Sequence, residues 1–379
     1  MSNDVSSSSG AEAARKRLVI VAGVGRSGTS LFTTILGMTG FHVPQPEVQA
    51  DSTNPKGFGE PQWVVDFHGR NLRSRRVSVW DSRPAAWEDT ARAAQDRNTF
   101  AELKSWLAVQ FVGRDSVVVK DPRIGWFLPL WEKAATDLGV DVSFASLLRH
   151  PAEAVSSAIK WYGDWQSPAS RTLSWVNVML ETEYATRDSR RVFVRYDDLL
   201  ADWSGEMSRV GEALDIPVLR EIPDEVRRRV DEFVDPTLHR QKVTFADVGV
   251  PQQVEAMTED VWKQFTALSV AGGDSAENRA VLDESRERYH TFYSEAEDIA
   301  QSTIHALRPK GGATGGDRGA VATRAGASGG AGTSRGSGAD AVIRVAERVV
   351  PPKLRRRVPP VWRSRIMRTA NKAANLVRR

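Results

Sequence analysis

A strand-length apolar run that breaks straight into a glycine-rich turn constrains this chain more than any other feature. Leu18-Val19-Ile20-Val21-Ala22 is long enough for one buried strand and too short to cross a membrane. Gly23-Val24-Gly25-Arg26-Ser27-Gly28-Thr29-Ser30 follows. Leu31, Phe32, Ile35, Leu36 and Met38 then recur at helical spacing, toward Gly40 as a helix terminator. Glycines let backbone approach a ligand and take positive φ. The unpaired N–H groups and dipole of a helix start attract an anion, and hydroxyls with one guanidinium add donors for phosphate or sulfate oxygens. From Gly23 to Ser30 the spacing is that of the nucleotide-binding loop G-x-x-x-x-G-K-[ST], with Thr29 in place of the lysine and the cation moved forward to Arg26. Such a loop is poorly equipped to bridge β- and γ-phosphates with magnesium, yet it suits one phosphate joined to a second tetrahedral anion.

Three further apolar runs end on polar clusters. Val117–Val119 meets Lys120-Asp121-Pro122-Arg123, Val142–Leu148 meets Arg149-His150-Pro151, and Arg191–Tyr196 meets Asp197-Asp198. Helical patterns separate them: one opening near Trp63 with Val64, Phe67 and Leu72, Phe100–Phe111, a stretch with Trp126, Leu130 and Trp131, one starting at Pro151, and Arg171–Arg187. Helices are also expected within 197–215 and 223–234, a short strand at Phe41–Val43, and irregular chain over 81–98. Alternation of this kind predicts an α/β fold: a central parallel sheet flanked by helices, with its site at the carboxyl ends of the strands.

The chain has no cysteine, which removes disulfides, thiolate metal ligands and cysteine nucleophiles. Its net charge of +4 is uneven. Residues 342–379 hold twelve Lys or Arg against the single acid Glu347, so the remainder is net acidic and the protein as a whole reads poorly as a nucleic-acid binder. Four segments are expected: a polar leader over 1–17, the folded domain over 18–305, a Gly/Ala/Ser-rich linker over 306–341, and a basic, partly amphipathic tail over 342–379. With no apolar leader core and no run of about 18 apolar residues, the expected location is cytoplasmic. The tail, with Trp362, Ile366 and Met367 among its cations, suits peripheral contact with the inner membrane face.

Gly25-Arg26-Ser27-Gly28-Thr29-Ser30 resembles the 5′-phosphosulfate loop of sulfotransferases that use 3′-phosphoadenosine 5′-phosphosulfate (PAPS), in the arginine form of the tyrosylprotein and bacterial branches. Arg149 with Ser157 eight residues later resembles the pair that holds the 3′-phosphate in that family. Val117–Arg123 resembles its strand-plus-Lys-Asp-Pro segment, which would set Lys120 against the sulfuryl donor, with Asp121 as its ion-pair partner or as a helix cap. The resemblance covers roughly residues 18–240 and implies a P-loop NTPase-like fold, PAPS as co-substrate and no metal. Gly25, Arg26, Ser27, Gly28, Thr29, Ser30, Arg149, Ser157 and Tyr196 would bind the donor, Tyr196 beside its adenine. Arg26 and Lys120 would stabilise the transferring group, and Glu60 would take the acceptor's proton, with His68 as the competing base. The lysine loop, histidine base and C-terminal Arg-Lys-Gly segment of the cytosolic branch are missing, so the acceptor stays open among hydroxyls of a glycan, a glycolipid or a small metabolite. His239 and Arg240 have no assigned role. The rival enzyme class is a P-loop-like nucleotide or small-molecule kinase, which would need the absent lysine.

Overall fold

The computed structural model describes residues 15–234 and 242–307. Four strands, β1 (Arg17–Ala22), β2 (Ser116–Lys120), β3 (Asp141–Leu148) and β4 (Arg190–Arg195), form one sheet in the order β2-β1-β3-β4. Every pairing is parallel. Val21 lies opposite Lys120 and Ala145, Ala22 opposite Ser146, and Leu148 opposite Arg195, so all four strands end along one edge.

Fourteen α-helices complete the described residues: α1 (Thr29–Met38), α2 (Gln62–Ser74), α3 (Ala85–Ala91), α4 (Arg97–Gln110), α5 (Leu128–Asp137), α6 (Pro151–Tyr162), α7 (Pro168–Ala185), α8 (Tyr196–Ala201), α9 (Trp203–Ala213), α10 (Pro217–Arg220), α11 (Asp224–Phe233), α12 (Phe245–Val248), α13 (Gln252–Leu268) and α14 (Ala276–Leu307). They cover both faces of the sheet. Leu18, Ile20, Val117, Val119, Phe144 and Phe193 point into a core shared with α2–α7, α13 and α14. Their neighbours Val19, Val21, Val118, Ala145, Val192 and Val194 point into a second core with α1, α9 and α11. Burial on both faces explains why the strands read as continuous apolar runs rather than alternating ones. Each such Val, Leu or Phe contributes roughly 1.5–3 kcal/mol by leaving water.

Several expectations are corrected. Phe41–Val43 forms no strand. His42 alone bridges Val117 at the outer edge of β2, and Pro44, which has no N–H, stops the pairing. Residues 81–98 are not irregular: α3 and a 3₁₀ turn (Arg92–Ala94) lie there, seated on Ala86, Trp87, Thr90 and Ala93. The helices expected within 197–215 are present as α8 and α9, parted at Asp202, whose carboxylate caps α9 by accepting from the Gly205 amide at 2.9 Å. At the other end α14 runs through Leu307, two residues into the expected linker, because Ala306 and Leu307 favour helix and the first breaker is Pro309. The rest of the linker, the tail, most of the leader, His239 and Arg240 lie outside the described residues.

Candidate active site

The turn between β1 and α1 is shaped by what presses on it. Gly23 has φ +125°, and a Cβ there would meet the Leu147 carbonyl oxygen at 2.7 Å. Gly28 has φ +86°, and its Cβ would meet the Tyr196 ring at 2.2 Å. Any other residue at either place would have to displace backbone or a packed ring. Arg26 adopts φ +76° without being glycine, a strained conformation of the kind that clusters at ligand clamps. Ser27 is fully buried, and its hydroxyl has no partner among the described residues. Among the described residues no side chain caps the first turn of α1. An uncapped helix start beside a buried, unpaired hydroxyl is an arrangement that an anion would complete.

One flank of this turn gathers three of the expected residues. Arg149, just beyond β3, donates through Nη1 to the Arg26 carbonyl at 3.1 Å and through Nε to Glu153 at 2.9 Å. Its guanidinium lies over the Tyr196 ring, 5.0 Å from the centroid. Ser157, on α6, accepts from Arg26 Nε at 3.0 Å. Arg149 and Ser157 are therefore joined through Arg26. No carboxylate lies within ion-pair distance of Arg26 among the described residues. Asp51 is near enough only to feel its charge.

The other flank is buried and saturated. Lys120, at the tip of β2 and 2% exposed, donates to Glu60 Oε1 at 2.5 Å, to the Phe58 carbonyl at 3.1 Å and to Ser30 Oγ at 3.3 Å. An ammonium has three N–H donors, and all three are spent. Burial pushes the Glu60 carboxyl above its ordinary range, against the pull of Lys120. Asn54 joins the group, donating through Nδ2 to Ser30 Oγ at 3.2 Å and to the Gly57 carbonyl at 2.5 Å.

Asp121 is not the partner of Lys120, and it caps no helix. It accepts from the Arg123 side chain at 2.7 Å and the Arg123 amide at 3.2 Å, and meets His68 Nδ1 at 2.7 Å. Burial acts to raise its pKa, but His68 and Arg123 hold it below the usual value. His68 is fully buried. Its Nε2 accepts from the Trp131 indole at 2.9 Å, which leaves the proton on Nδ1, facing Asp121. Accepting from Trp131 makes the ring neutral, burial lowers its pKa in the same sense, and both nitrogens are occupied. His68 has no face toward an acceptor. It meets Asp121, which in turn accepts from Arg123, on the segment whose Pro122 lies against Gly25.

Of the expected residues, Gly25, Arg26, Ser27, Gly28, Thr29, Ser30, Glu60, Lys120, Arg149, Ser157 and Tyr196 thus share one edge of the sheet. Asn54, Arg123 and Glu153 join them without having been assigned roles from sequence. Asn54 carried a readable signal in the loop Asn54-Pro55-Lys56-Gly57-Phe58-Gly59-Glu60; Glu153 carried none beyond its four-residue step from Arg149. Among the described residues no group of three His, Cys, Asp or Glu is placed to hold a metal ion, and no helix is long and apolar enough to cross a membrane.

Residues 19–221 match the model of the sulfotransferase family, and the chain belongs to that family. Among solved structures it is similar to the sulfotransferase STF1 from Mycobacterium tuberculosis H37Rv, at 16% identity and a TM-score of 0.36, covering 64% of this chain and 76% of that one. It is also similar to the sulfotransferase domain of the Synechococcus PCC 7002 olefin synthase, at 14% identity and a TM-score of 0.35, covering 72% and 96%. A third likeness is to the sulfotransferase domain of the curacin biosynthetic pathway, at 13% identity and a TM-score of 0.36, covering 71% and 97%. No curated protein matches the sequence.

Proposed function

We propose that this member of the sulfotransferase family moves a sulfuryl group from PAPS to a hydroxyl of a glycan, glycolipid or small metabolite. One observation carries the reading: the turn that bears Arg26 has a cationic side chain on each side, Arg149 bonded to the Arg26 carbonyl and Lys120 bonded to Ser30. On one flank Arg149 and Ser157 suit a terminal phosphate. On the other, the uncapped start of α1, the unpaired Ser27 hydroxyl and Lys120 suit a phosphosulfate. A nucleotide bearing anions at both ends meets both. Tyr196, packed on Gly28 beneath Arg149, offers a ring beside the nucleoside between them.

In this reading Glu60 takes the acceptor's proton as the hydroxyl oxygen bonds to sulfur. Arg26 and Lys120 stabilise the charge that builds on the sulfuryl oxygens and on the bridging oxygen as its bond to sulfur breaks. Lys120 can reach that oxygen only by releasing one of its three partners, and the 3.3 Å contact to Ser30 is the longest. Turning away from Glu60 would strip the carboxylate of its cation and raise its affinity for a proton as the acceptor delivers one. Transfer of label from ³⁵S-PAPS to an acceptor library, with and without EDTA, tests the reading. Label should move equally in both conditions. No transfer of ³⁵S in either condition, with phosphoryl transfer from ATP that EDTA abolishes, would favour a kinase.

A further inference from the structure

Ser30 Oγ receives two hydrogen bonds, from Asn54 Nδ2 at 3.2 Å and from Lys120 Nζ at 3.3 Å. Neither donor can accept one in return. The Ser30 proton must therefore go elsewhere, and none of the hydrogen bonds described gives it an acceptor. Ser30 is the second residue of α1, so this hydroxyl stands beside the uncapped amides that face the anion. Asn54 is itself held. Its amide nitrogen spans Ser30 and the Gly57 carbonyl, and the Gly57 amide closes the turn onto the Asn54 carbonyl at 3.1 Å. Asp51 Oδ1 accepts from the amides of Thr53 at 2.8 Å and Asn54 at 3.2 Å, and Lys56 donates to the Phe233 carbonyl at 2.5 Å.

Resting on the sulfotransferase reading, we propose that Asn54 is a positioning residue for the donor site. It holds Ser30 Oγ as an acceptor so that the Ser30 hydroxyl is presented as a donor to the anion at the 5′ end of the nucleotide. When Lys120 turns to the sulfuryl group, Asn54 remains as the one side chain keeping Ser30 in that rotamer. The same amide keeps the loop that ends in Glu60 docked on the turn. Phosphate loop and base are thus linked through Asn54–Ser30–Lys120–Glu60, four residues in one hydrogen-bonded chain.

The test is calorimetric titration of the full chain with adenosine 3′,5′-bisphosphate and with adenosine 3′-monophosphate, which lacks the 5′ anion. Asn54→Ala should weaken the bisphosphate about 10-fold and leave the 3′-monophosphate unchanged. In a Ser30→Ala background the same substitution should add almost nothing, because its effect passes through the missing hydroxyl. Asn54→Asp, nearly isosteric, should weaken the bisphosphate further. Its carboxylate accepts the Ser30 proton and adds charge of the wrong sign. Unchanged bisphosphate binding in Asn54→Ala, equal loss for both nucleotides, or full additivity with Ser30→Ala would each overturn the role given to Asn54. A wild-type chain that binds no bisphosphate would instead overturn the sulfotransferase reading beneath it.

Discussion

The two flanks of the turn between β1 and α1 use cations in opposite ways. On the Arg149 side, Arg26 has no carboxylate in reach among the described residues, and Arg149 is balanced by one acid four residues along its own segment. On the Lys120 side the cation is almost wholly buried, paired at 2.5 Å, and has no donor left over. The first arrangement leaves donors ready and suits binding. The second must break a contact before it can act, so it suits chemistry that begins only after a ligand has arrived. A buried pair of this kind adds little net stability, because desolvation offsets its attraction, whereas removing one partner strands a buried charge.

The contrast is broken most directly by removing a cation from the chemistry. Arg26→Ala should lower turnover ~100-fold or more, since a lost preorganised donor costs about 3–4 kcal/mol at the transition state. A turnover within a few-fold of wild type would place Arg26 outside the reaction. Arg149→Ala should act on binding instead, weakening adenosine 3′,5′-bisphosphate by ~1.5–3 kcal/mol while leaving turnover at saturating donor largely intact. A loss confined to turnover would mean that the two flanks do not divide the work. The smallest effect concerns pH. Because Glu60's pKa is raised, a base there is protonated, and activity lost, as pH falls through a value above the usual carboxylate range. The acid limb of the pH–rate profile should lie there, and Glu60→Gln should remove it. Full activity in Glu60→Gln would require another base, and His68, enclosed by Trp131 and Asp121, is closed to that role.

What could be seen in the sequence follows from the range over which each feature is set. β1, its turn and α1 are contiguous, so apolar run, glycines and helical spacing all sit in one window. The four polar strand ends were legible for the same reason, since an apolar run buried on both faces gives way abruptly to glycines or charged residues at the edge of the sheet. α3 was missed because its seven residues bury only Ala86, Trp87 and Thr90, with one large apolar side chain among them, too few to show a helical period. The partner of Lys120 was missed because Glu60 is sixty residues away and arrives only when the loop from Asn54 folds back onto Ser30. Asp121, the nearer acid, is drawn off by His68 and Arg123, and sequence proximity misled there. Val254, Met257, Val261, Phe265 and Leu268 in α13 do keep helical spacing. They lie beyond the last strand, where no alternation of strand and helix draws attention to them.

The account turns on whether both flanks hold one nucleotide, and one titration tests that most directly. Adenosine 3′,5′-bisphosphate should bind the full chain saturably at one site without added magnesium. Adenosine 3′-monophosphate and adenosine 5′-monophosphate, each lacking one anion, should bind more weakly. No saturable binding of the bisphosphate, or affinity no better than that of either monophosphate, would contradict it.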